Sequence, residues 1–185
     1  MVDRRERGVI MSEFFRRRLA SYAEHHRDER NSATHYVGIP MIFLAVLIPL
    51  AFWSVSIGIF EISIGSLLLT FAAIGWIFLD AGVGLAMLAM IVPLAAGAEW
   101  IARSSSTAHA LWIAAGLFVA GWIFQLVGHS VFEKRKPAFF DDLAQLFIGP
   151  MFIVAKILVL FGLRRDLAAL LNGAGEAMNA RPARN

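Results

Sequence analysis

Four of the five histidines in this chain of 185 residues lie in two short polar segments. His25, His26 and His35 belong to the first segment, and His129 belongs to the second, far later in the chain. Neutral imidazole is the commonest protein ligand for transition metals, and histidine together with carboxylate suits iron(II). If the fold brings the two segments together, these side chains predict a metal site. Thiolate ligands are excluded, since the chain has no cysteine.

The spacing within each segment limits how these side chains converge. Gln125, His129 and Glu133 follow one another at intervals of four residues, so they share one face of a helix. His26 and His35 are nine residues apart, which leaves them about half a turn out of phase on a straight helix. One unbroken helix therefore does not direct both imidazoles at the same metal ion.

A break in the helix between His26 and His35 would remove this difficulty. Asn31 is a good N-cap residue, so we expect one helix to stop near Arg27 and the next helix to start at Asn31. Pro40 would then kink the second helix about two turns after its start. The two histidines can converge across such a break.

The composition indicates a membrane protein. The chain is 58% hydrophobic and 17% charged, whereas soluble domains are about a quarter charged. Between Asn31 and Glu133 the sequence has one basic residue, Arg103, and an ionised side chain at the bilayer centre costs roughly 3 kcal/mol or more. The net charge of +3 comes from basic residues that flank apolar stretches, where they contact anionic lipid. We therefore expect no nucleic-acid partner.

We predict an all-α fold, a polytopic membrane helical bundle in a single domain over residues 1–175, with a frayed tail at 176–185. Residues 1–30 are a basic amphipathic leader, in which Ser12 to about His26 would form a helix on the membrane surface. Four transmembrane helices are expected, each near the length of about 20 residues that crosses a bilayer. They are placed at 36–57, 62–79, 82–100 and 108–127.

The apolar stretch 143–163 is different from the four predicted spans. Gly149-Pro150 interrupts it, and Lys156 lies within it. Proline has no amide donor and breaks or kinks a helix. We expect this stretch to form a re-entrant or interfacial helix rather than a fifth span.

The basic residues also predict the orientation in the membrane. Eight arginines precede the first predicted span, so the N-terminus should be cytoplasmic. Four crossings return the chain to the same side near His129, and Lys134, Arg135 and Lys136 agree with that placement. The segments His25–His35 and His129–Pro137 are therefore expected on the same face of the membrane.

The second segment resembles a known family. Gln125-Leu-Val-Gly-His-Ser-Val-Phe-Glu-Lys-Arg-Lys-Pro-Ala138 is similar to the signature of the 2-hydroxy-fatty-acid dioxygenases, which include a yeast endoplasmic-reticulum enzyme of alpha-oxidation and bacterial relatives once classed as a domain of unknown function. The resemblance runs from about Phe14 to Leu163. The first half also carries residues where this family has them: Tyr22, His25, His26, Asn31, His35, Gly38 and Pro40.

The resemblance implies an iron(II)-dependent, membrane-bound oxidoreductase of fatty-acid alpha-oxidation. Such an enzyme uses O2 to convert a long-chain 2-hydroxy fatty acid to the fatty acid one carbon shorter, and it releases CO2. The expected location is a bacterial inner membrane, or the endoplasmic reticulum in a eukaryote, with the site on the cytoplasmic face. Oligomeric state and chain-length preference do not follow from it.

The roles of the site residues follow from the resemblance together with their chemistry. The family's essential histidines correspond to His25, His26, His35 and His129, and we add Glu133 as a catalytic candidate. We expect His26, His35 and His129 to be the iron ligands. His25 and Glu133 are the next candidates, either as ligands or as residues that support a ligand.

Further residues are expected to orient the ligands and the substrate. Asn31 and Gln125 would orient the iron ligands through hydrogen bonds. The acyl tail of the substrate would lie among the membrane spans, with its carboxylate at the interface, where basic side chains pair with it. The candidates for this pairing are Arg27, Arg30, Lys134, Arg135 and Lys136.

Other classes of protein fit the sequence less well. A non-enzymatic membrane carrier or metal-binding membrane protein is the main alternative, but carriers place ionisable residues near mid-span, where this chain lacks them. A two-metal lipid desaturase or hydroxylase needs more than four clustered histidines. His109 lies near the opposite face, and we expect it to be an interfacial side chain without a ligand.

Overall fold

Helices dominate the residues that this computed structural model describes, which are 11–137 and 142–171. The predicted leader before Met11, Ala138 of the second motif and the predicted tail at 176–185 lie outside them. The elements in chain order are α1 Glu13–Glu24, α2 Glu29–Leu50, β1 Ser54–Ile57, β2 Phe60–Ser63, α3 Ile64–Leu79, α4 Ala81–Ser104, α5 Thr107–Val127 and α6 Gln145–Leu160. A π-helical segment, Gly128–Glu133, continues α5.

Three of these helices are long and apolar enough to cross a membrane. They are α2, α4 and the continuous helix Thr107–Glu133 that comprises α5 and the π segment. The apolar helices α3 and α6 have 16 residues each, which is about 24 Å of helix for a hydrocarbon core of about 30 Å. The helical bundle is confirmed, and the count of four spans stays a prediction.

The first long helix has different bounds from the predicted ones. α2 begins at Glu29, not at Asn31 or Tyr36. Its N-cap is Asp28, whose side chain accepts a hydrogen bond from the Arg30 N–H. The prediction of Asn31 as the N-cap was wrong, because Asp28 occupies that position and Asn31 is buried within the first turn. The predicted break between the two helices is present, three residues earlier than expected.

Residues 54–63 form a hairpin that the sequence analysis did not predict. β1 pairs with β2 antiparallel, from Ser54 opposite Ser63 to Ile57 opposite Phe60. Gly58, at the turn, has φ +62°, which glycine adopts without steric cost. The extension of the first span to residue 57 was therefore wrong. Serine alternating with β-branched residues favours a strand there.

The short helix α1 is covered by protein on its apolar face. Ser12 caps it by accepting a hydrogen bond from the Phe15 N–H. Phe15, Leu19 and Tyr22 are buried on the face that packs against α6. A helix is present where it was predicted, and α6 covers its apolar face; its location on the membrane surface stays a prediction.

The close contact between α2 and α5 brings the two histidine segments together. These helices run antiparallel, and their backbones approach at two glycines. A Cβ atom on Gly38 would lie 2.9 Å from the carbonyl oxygen of Gly121, so a larger residue there would push the helices apart. His35 on α2 and His129 after α5 therefore lie at the same end of the bundle.

The helix α6 closes that end of the bundle. Near its start, the Phe147 carbonyl accepts a hydrogen bond of 3.0 Å from the Trp76 indole on α3. Just after its end, Arg164 pairs with the buried carboxylate of Asp80, which also caps α4. The start of α6 therefore contacts α3, and the segment that follows α6 contacts the junction between α3 and α4. The assignment of α6 as a re-entrant or interfacial helix stays a prediction.

Candidate metal centre

His26, His35 and His129 form one buried cluster. Their exposed fractions are 3%, 1% and 3%. One ring nitrogen of each lies within 4.8 Å of those of the other two, and Nε2 of His26 is 3.1 Å from Nε2 of His35. These are the three histidines that the sequence analysis selected as ligands, and the fold brings them together from three different segments.

Backbone carbonyls determine which ring nitrogens carry a proton. Nδ1 of His26 lies 2.8 Å from the Tyr22 carbonyl, and Nδ1 of His35 lies 2.8 Å from the Asn31 carbonyl. Because a carbonyl only accepts, each Nδ1–H donates, and each Nε2 presents a lone pair. In metal-ligating histidines, the ring nitrogen that does not bind the metal commonly donates a hydrogen bond of this kind.

Two Nε2 lone pairs that face each other at 3.1 Å repel unless a cation lies near both. Two imidazole nitrogens at about 2.1 Å from one ion and at right angles are about 3.0 Å apart. The donor set therefore fits a transition metal, and imidazole ligands are compatible with iron, zinc, copper or nickel.

The environment of His26 favours the neutral ring. Burial lowers the pKa of His26 well below its ordinary value, and the nearby His35 lowers it further. One face of the ring stacks in parallel on Tyr22, with centroids 4.1 Å apart, and Phe152 lies 5.1 Å away. At neutral pH the imidazole is therefore in the form that binds metals.

His129 reaches the cluster from the π segment. A π-helical turn widens the hydrogen-bond spacing of the helix, and such turns are frequent at functional sites. Gly128 lies against α2 so closely that a Cβ atom there would overlap Thr34 Oγ1 and Asn31 Oδ1. The i, i+4 spacing pointed to His129, but it contained no signal for the change of helix type.

Glu133 contacts the backbone between α1 and α2. Its carboxylate accepts hydrogen bonds of 2.9 Å from the Arg27 N–H and 3.0 Å from the Asp28 N–H. The side-chain amide of Asn31 donates a third at 3.3 Å. Of the two roles considered for Glu133, this geometry fits support of the ligands, because the carboxylate joins the helix break that holds His26 to the π segment that holds His129.

The other predicted site residues lie around the cluster. His25 is half-buried, its Nδ1 is bonded to the Ser21 carbonyl, and it is outside the three-histidine group. The backbone carbonyl of Asn31 accepts a hydrogen bond from Nδ1 of His35. Gln125 is buried, and its Nε2 has no hydrogen-bond partner among the described residues.

The five predicted basic partners of the substrate carboxylate are exposed. Arg30 pairs with Asp28 and lies over the Phe132 ring, and the Arg135 N–H donates to the His129 carbonyl. None of the five lines the cavity described next. The set is Arg27, Arg30, Lys134, Arg135 and Lys136.

An apolar cavity of about 340 Å³ adjoins the cluster. His35, His129 and Tyr22 line it near the cluster, and Leu50 and Gly65 line it at the other end of α2. The buried amides of Gln125 and Gln145 are also in its wall. Gln145 was not predicted as a site residue; the one indication in the sequence is an uncharged amide at the start of an otherwise apolar helix.

Comparison with known proteins gives one family and one curated relative. Residues 12–160 match the family described as 2-hydroxy-palmitic acid dioxygenase Mpo1-like. The chain is also 53% identical over 57 residues to the Saccharomyces cerevisiae protein named 2-hydroxy-palmitic acid dioxygenase MPO1, a region that is 30% of this chain and 33% of the yeast protein. The aligned region thus spans a third of that relative. No solved structure matches the chain.

The family match includes both histidine segments and both helices that hold them. It covers most of the chain, so a chance likeness of one short motif does not account for it. The chain belongs to the Mpo1-like family of 2-hydroxy-palmitic acid dioxygenases.

Proposed function

We propose that this protein is a membrane-bound, iron(II)-dependent dioxygenase of fatty-acid alpha-oxidation. It converts a long-chain 2-hydroxy fatty acid and O2 to the fatty acid one carbon shorter, with release of CO2. The observation that carries the proposal is the buried cluster of His26, His35 and His129, with two Nε2 atoms 3.1 Å apart beside an apolar cavity. Membership of the family supports the reaction class.

The reaction balances without an external reductant. The bond between C1 and C2 breaks, C1 leaves as CO2, and C2 becomes the carboxyl carbon of the product. The substrate loses four electrons and O2 accepts four, so one molecule of water is also formed. Iron(II) held by the three histidines would offer open coordination positions to O2 and to the substrate oxygens.

The residues around the cluster hold its ligands in place and exclude water. The Tyr22 and Asn31 carbonyls keep protons on Nδ1 of His26 and His35, so their Nε2 lone pairs stay free for the metal. Tyr22 and Phe152 cover the His26 ring. A site of this kind limits side reactions with water.

Two buried amides are suited to bind the polar head of the substrate. Gln125 Nε2 and Gln145 Oε1 are buried without hydrogen-bond partners among the described residues, and both residues line the cavity. A 2-hydroxy acid supplies what they lack, because its carboxylate accepts from Nε2 and its hydroxyl donates to Oε1. An unpaired buried polar group costs about 1–3 kcal/mol, so this pairing favours the 2-hydroxy acid over a plain fatty acid.

The positions of the exposed basic residues suggest their role and the membrane face on which the site lies. Arg27, Arg30 and Arg135 lie outside the cavity, so we assign them, with Lys134 and Lys136, to attraction of the carboxylate before it enters. We place the N-terminus and the site on the cytoplasmic face of a bacterial inner membrane, because the basic residues flank this end of the bundle.

Metal analysis and O2 uptake by detergent-purified protein test the proposal. We expect about one iron ion per chain and consumption of O2 with 2-hydroxypalmitate, but not with palmitate, with one CO2 per O2. His35→Ala and His129→Ala should lose both iron and turnover. His109→Ala, an exposed histidine near the start of α5, is the matched control and should keep both.

Two outcomes would contradict the proposal in different ways. Folded protein that takes up no metal from iron(II) solutions would remove the metal site. Protein that binds iron through His35 and His129 but turns over no 2-hydroxy acid would support the alternative, a metal-binding membrane protein that is not an enzyme.

A further inference from the structure

We infer that the apolar cavity binds the acyl chain of the substrate, and that Leu47, Leu50 and Gly65 at its far end limit the chain length accepted. The identity of the head group rests on the proposed function. The location of the tail and the position of the limit rest on the cavity itself.

The cavity extends along most of α2. Its wall includes His35, Ile39, Phe43, Val46 and Leu50, which recur at intervals of three or four residues and therefore lie on one face of the helix. From His35 to Leu50 the helix rises about 22 Å. The acyl chains of one leaflet span about 15 Å. The cavity is therefore long enough for an extended acyl chain of the length found in membrane lipids.

The distribution of polar groups matches an amphiphile with a single polar end. His35, His129 and Gln125 line the cavity near the metal cluster, whereas the far end is lined by Leu47, Leu50, Gly65 and Leu68. A molecule with polar groups along its length would bury some of them at the far end of the cavity without hydrogen-bond partners, which costs free energy. A long-chain acid pairs its head at the cluster and buries only methylene groups beyond it.

An opening toward the surrounding lipid gives such a molecule a route of entry. Val46 on α2 and Leu68 on α3 line the cavity, and 44% of Val46 and 53% of Leu68 are solvent-accessible. The groove between α2 and α3 is therefore open sideways. An acyl chain can enter from the bilayer without crossing water.

The far end of the cavity is tightly packed. A Cβ atom on Gly65 would lie 3.3 Å from Leu47 Cδ2 and 3.3 Å from Leu50 Cβ. The hairpin Ser54–Ser63 follows directly and joins α2 to α3. A larger side chain at position 65 therefore occupies space at the end of the cavity, where the last carbons of a long chain would lie.

The test is competition among 2-hydroxy acids of about 10 to 20 carbons, in one detergent mixture, with the products measured by mass spectrometry. Gly65→Leu should lower the longest chain turned over by about three carbons, the reach of a leucine side chain. Leu50→Ala should raise it, which keeps the test decisive if Gly65→Leu does not fold. Gly116→Leu is the control, because a Cβ atom on Gly116 meets nothing within 4 Å.

The outcomes separate this inference from the proposed function. If the wild type turns over 2-hydroxy acids and all variants share one length limit, the inference is overturned. If the wild type has no turnover, the proposed function fails, and displacement of a fluorescent long-chain fatty acid by unlabelled acids measures the limit instead. A phospholipid that co-purifies in the cavity and is not displaced by 2-hydroxypalmitate would also overturn the inference.

Discussion

The carboxylate of Glu133 accepts a hydrogen bond of 2.9 Å from the backbone N–H of Arg27, 106 positions earlier in the chain. A second oxygen accepts from the next N–H, that of Asp28. One side chain thus pairs two amide groups at the break between α1 and α2. Since His26 precedes this break and His129 lies in the same π segment as Glu133, the contact fixes the positions of two histidines of the cluster relative to each other.

The substitution Glu133→Gln tests this connection. An amide has one acceptor oxygen and presents donors in place of the other, so one of the two backbone N–H groups loses its partner. We expect a loss of about 1–3 kcal/mol in the free energy of unfolding, together with reduced iron content. Thermal unfolding in detergent and metal analysis measure both.

Glu99→Gln is the control for Glu133→Gln. Glu99 pairs with Arg103 at the end of α4, and such exposed pairs contribute about 0–1 kcal/mol. If Glu133→Gln keeps its iron and unfolds like the control, the bonds to Arg27 and Asp28 do not hold the cluster together.

The substitution Gly128→Ala should displace His129. The added methyl group would overlap Thr34 Oγ1 and Asn31 Oδ1, and overpacking of this kind costs about 1–3 kcal/mol. The π segment must then move away from α2 and carry His129 with it. A cost of about 1–3 kcal/mol is large enough to lower the iron content by more than half. Metal analysis of matched preparations measures it.

Gly116→Ala separates the steric effect from the general effect of replacing glycine. A Cβ atom on Gly116 has no neighbour within 4 Å, and alanine is favoured over glycine in a helix by about 1 kcal/mol. This variant should be as stable as the wild type or more so. Full iron content in Gly128→Ala would contradict the assigned role of the close contact.

The substitution Gln145→Leu tests recognition of the head group. It keeps the size of the side chain but removes the buried acceptor that we propose for the substrate hydroxyl, so KM for 2-hydroxypalmitate should rise about tenfold, equivalent to about 1.4 kcal/mol. Iron content should not change, because Gln145 is not in the histidine group. Steady-state O2 uptake at varied substrate concentration gives the KM.

Arg135→Ala distinguishes the buried amides from the surface basic residues. Arg135 is exposed and lies outside the cavity wall, so its removal should change KM less than Gln145→Leu does. The reverse order would mean that the surface residues, as the sequence suggested, bind the carboxylate.

The buried pair of Asp80 and Arg164 should be important for stability. Asp80 has no exposed surface, and two bonds of 2.7 and 2.8 Å join it to the Arg164 guanidinium. Arg164→Leu leaves a buried carboxylate without its cation, which costs about 3–5 kcal/mol. We expect a large fall in the thermal midpoint in detergent.

A double substitution provides the control for this pair. Asp80→Asn with Arg164→Leu removes both charges and should recover part of the loss, because the cost arises from the unpaired ion. Arg165→Ala, at the neighbouring exposed position, should have little effect. A single Arg164→Leu variant as stable as the wild type would show that water or another group pairs with Asp80.

The helical bundle and the meeting of the two histidine segments could be predicted from the sequence. Both depend on residue type and on the order of apolar segments along the chain. Long apolar stretches with few charges predicted a helical bundle, since a charged side chain is costly there. An even number of helical passes between His35 and His129 predicted that the two segments meet at one end. That arrangement agrees with the structure, which brings His26, His35 and His129 together; that these three bind a metal stays a prediction.

Local boundaries were less predictable, because neighbouring residues compete for the same role. Asp28 and Asn31 are both good N-cap residues, and the backbone bonds of Glu133 to the Arg27 and Asp28 N–H groups favour the earlier start of α2. The hairpin after Leu50 was missed for a similar reason, since a short apolar run is compatible with helix or strand. Contacts from distant elements decide such cases.

The sequence by itself determined which side chains could bind a metal, that long apolar stretches form a helical bundle and that the two histidine segments lie at one end of it, because these depend on residue chemistry and on periodicity along one chain. Only the tertiary structure decided that Glu133 braces the helix break, that α5 widens into a π segment at His129 and that Gln145 faces a cavity along α2. Each of these depends on how closely two elements pack, which is a property of their combined surfaces.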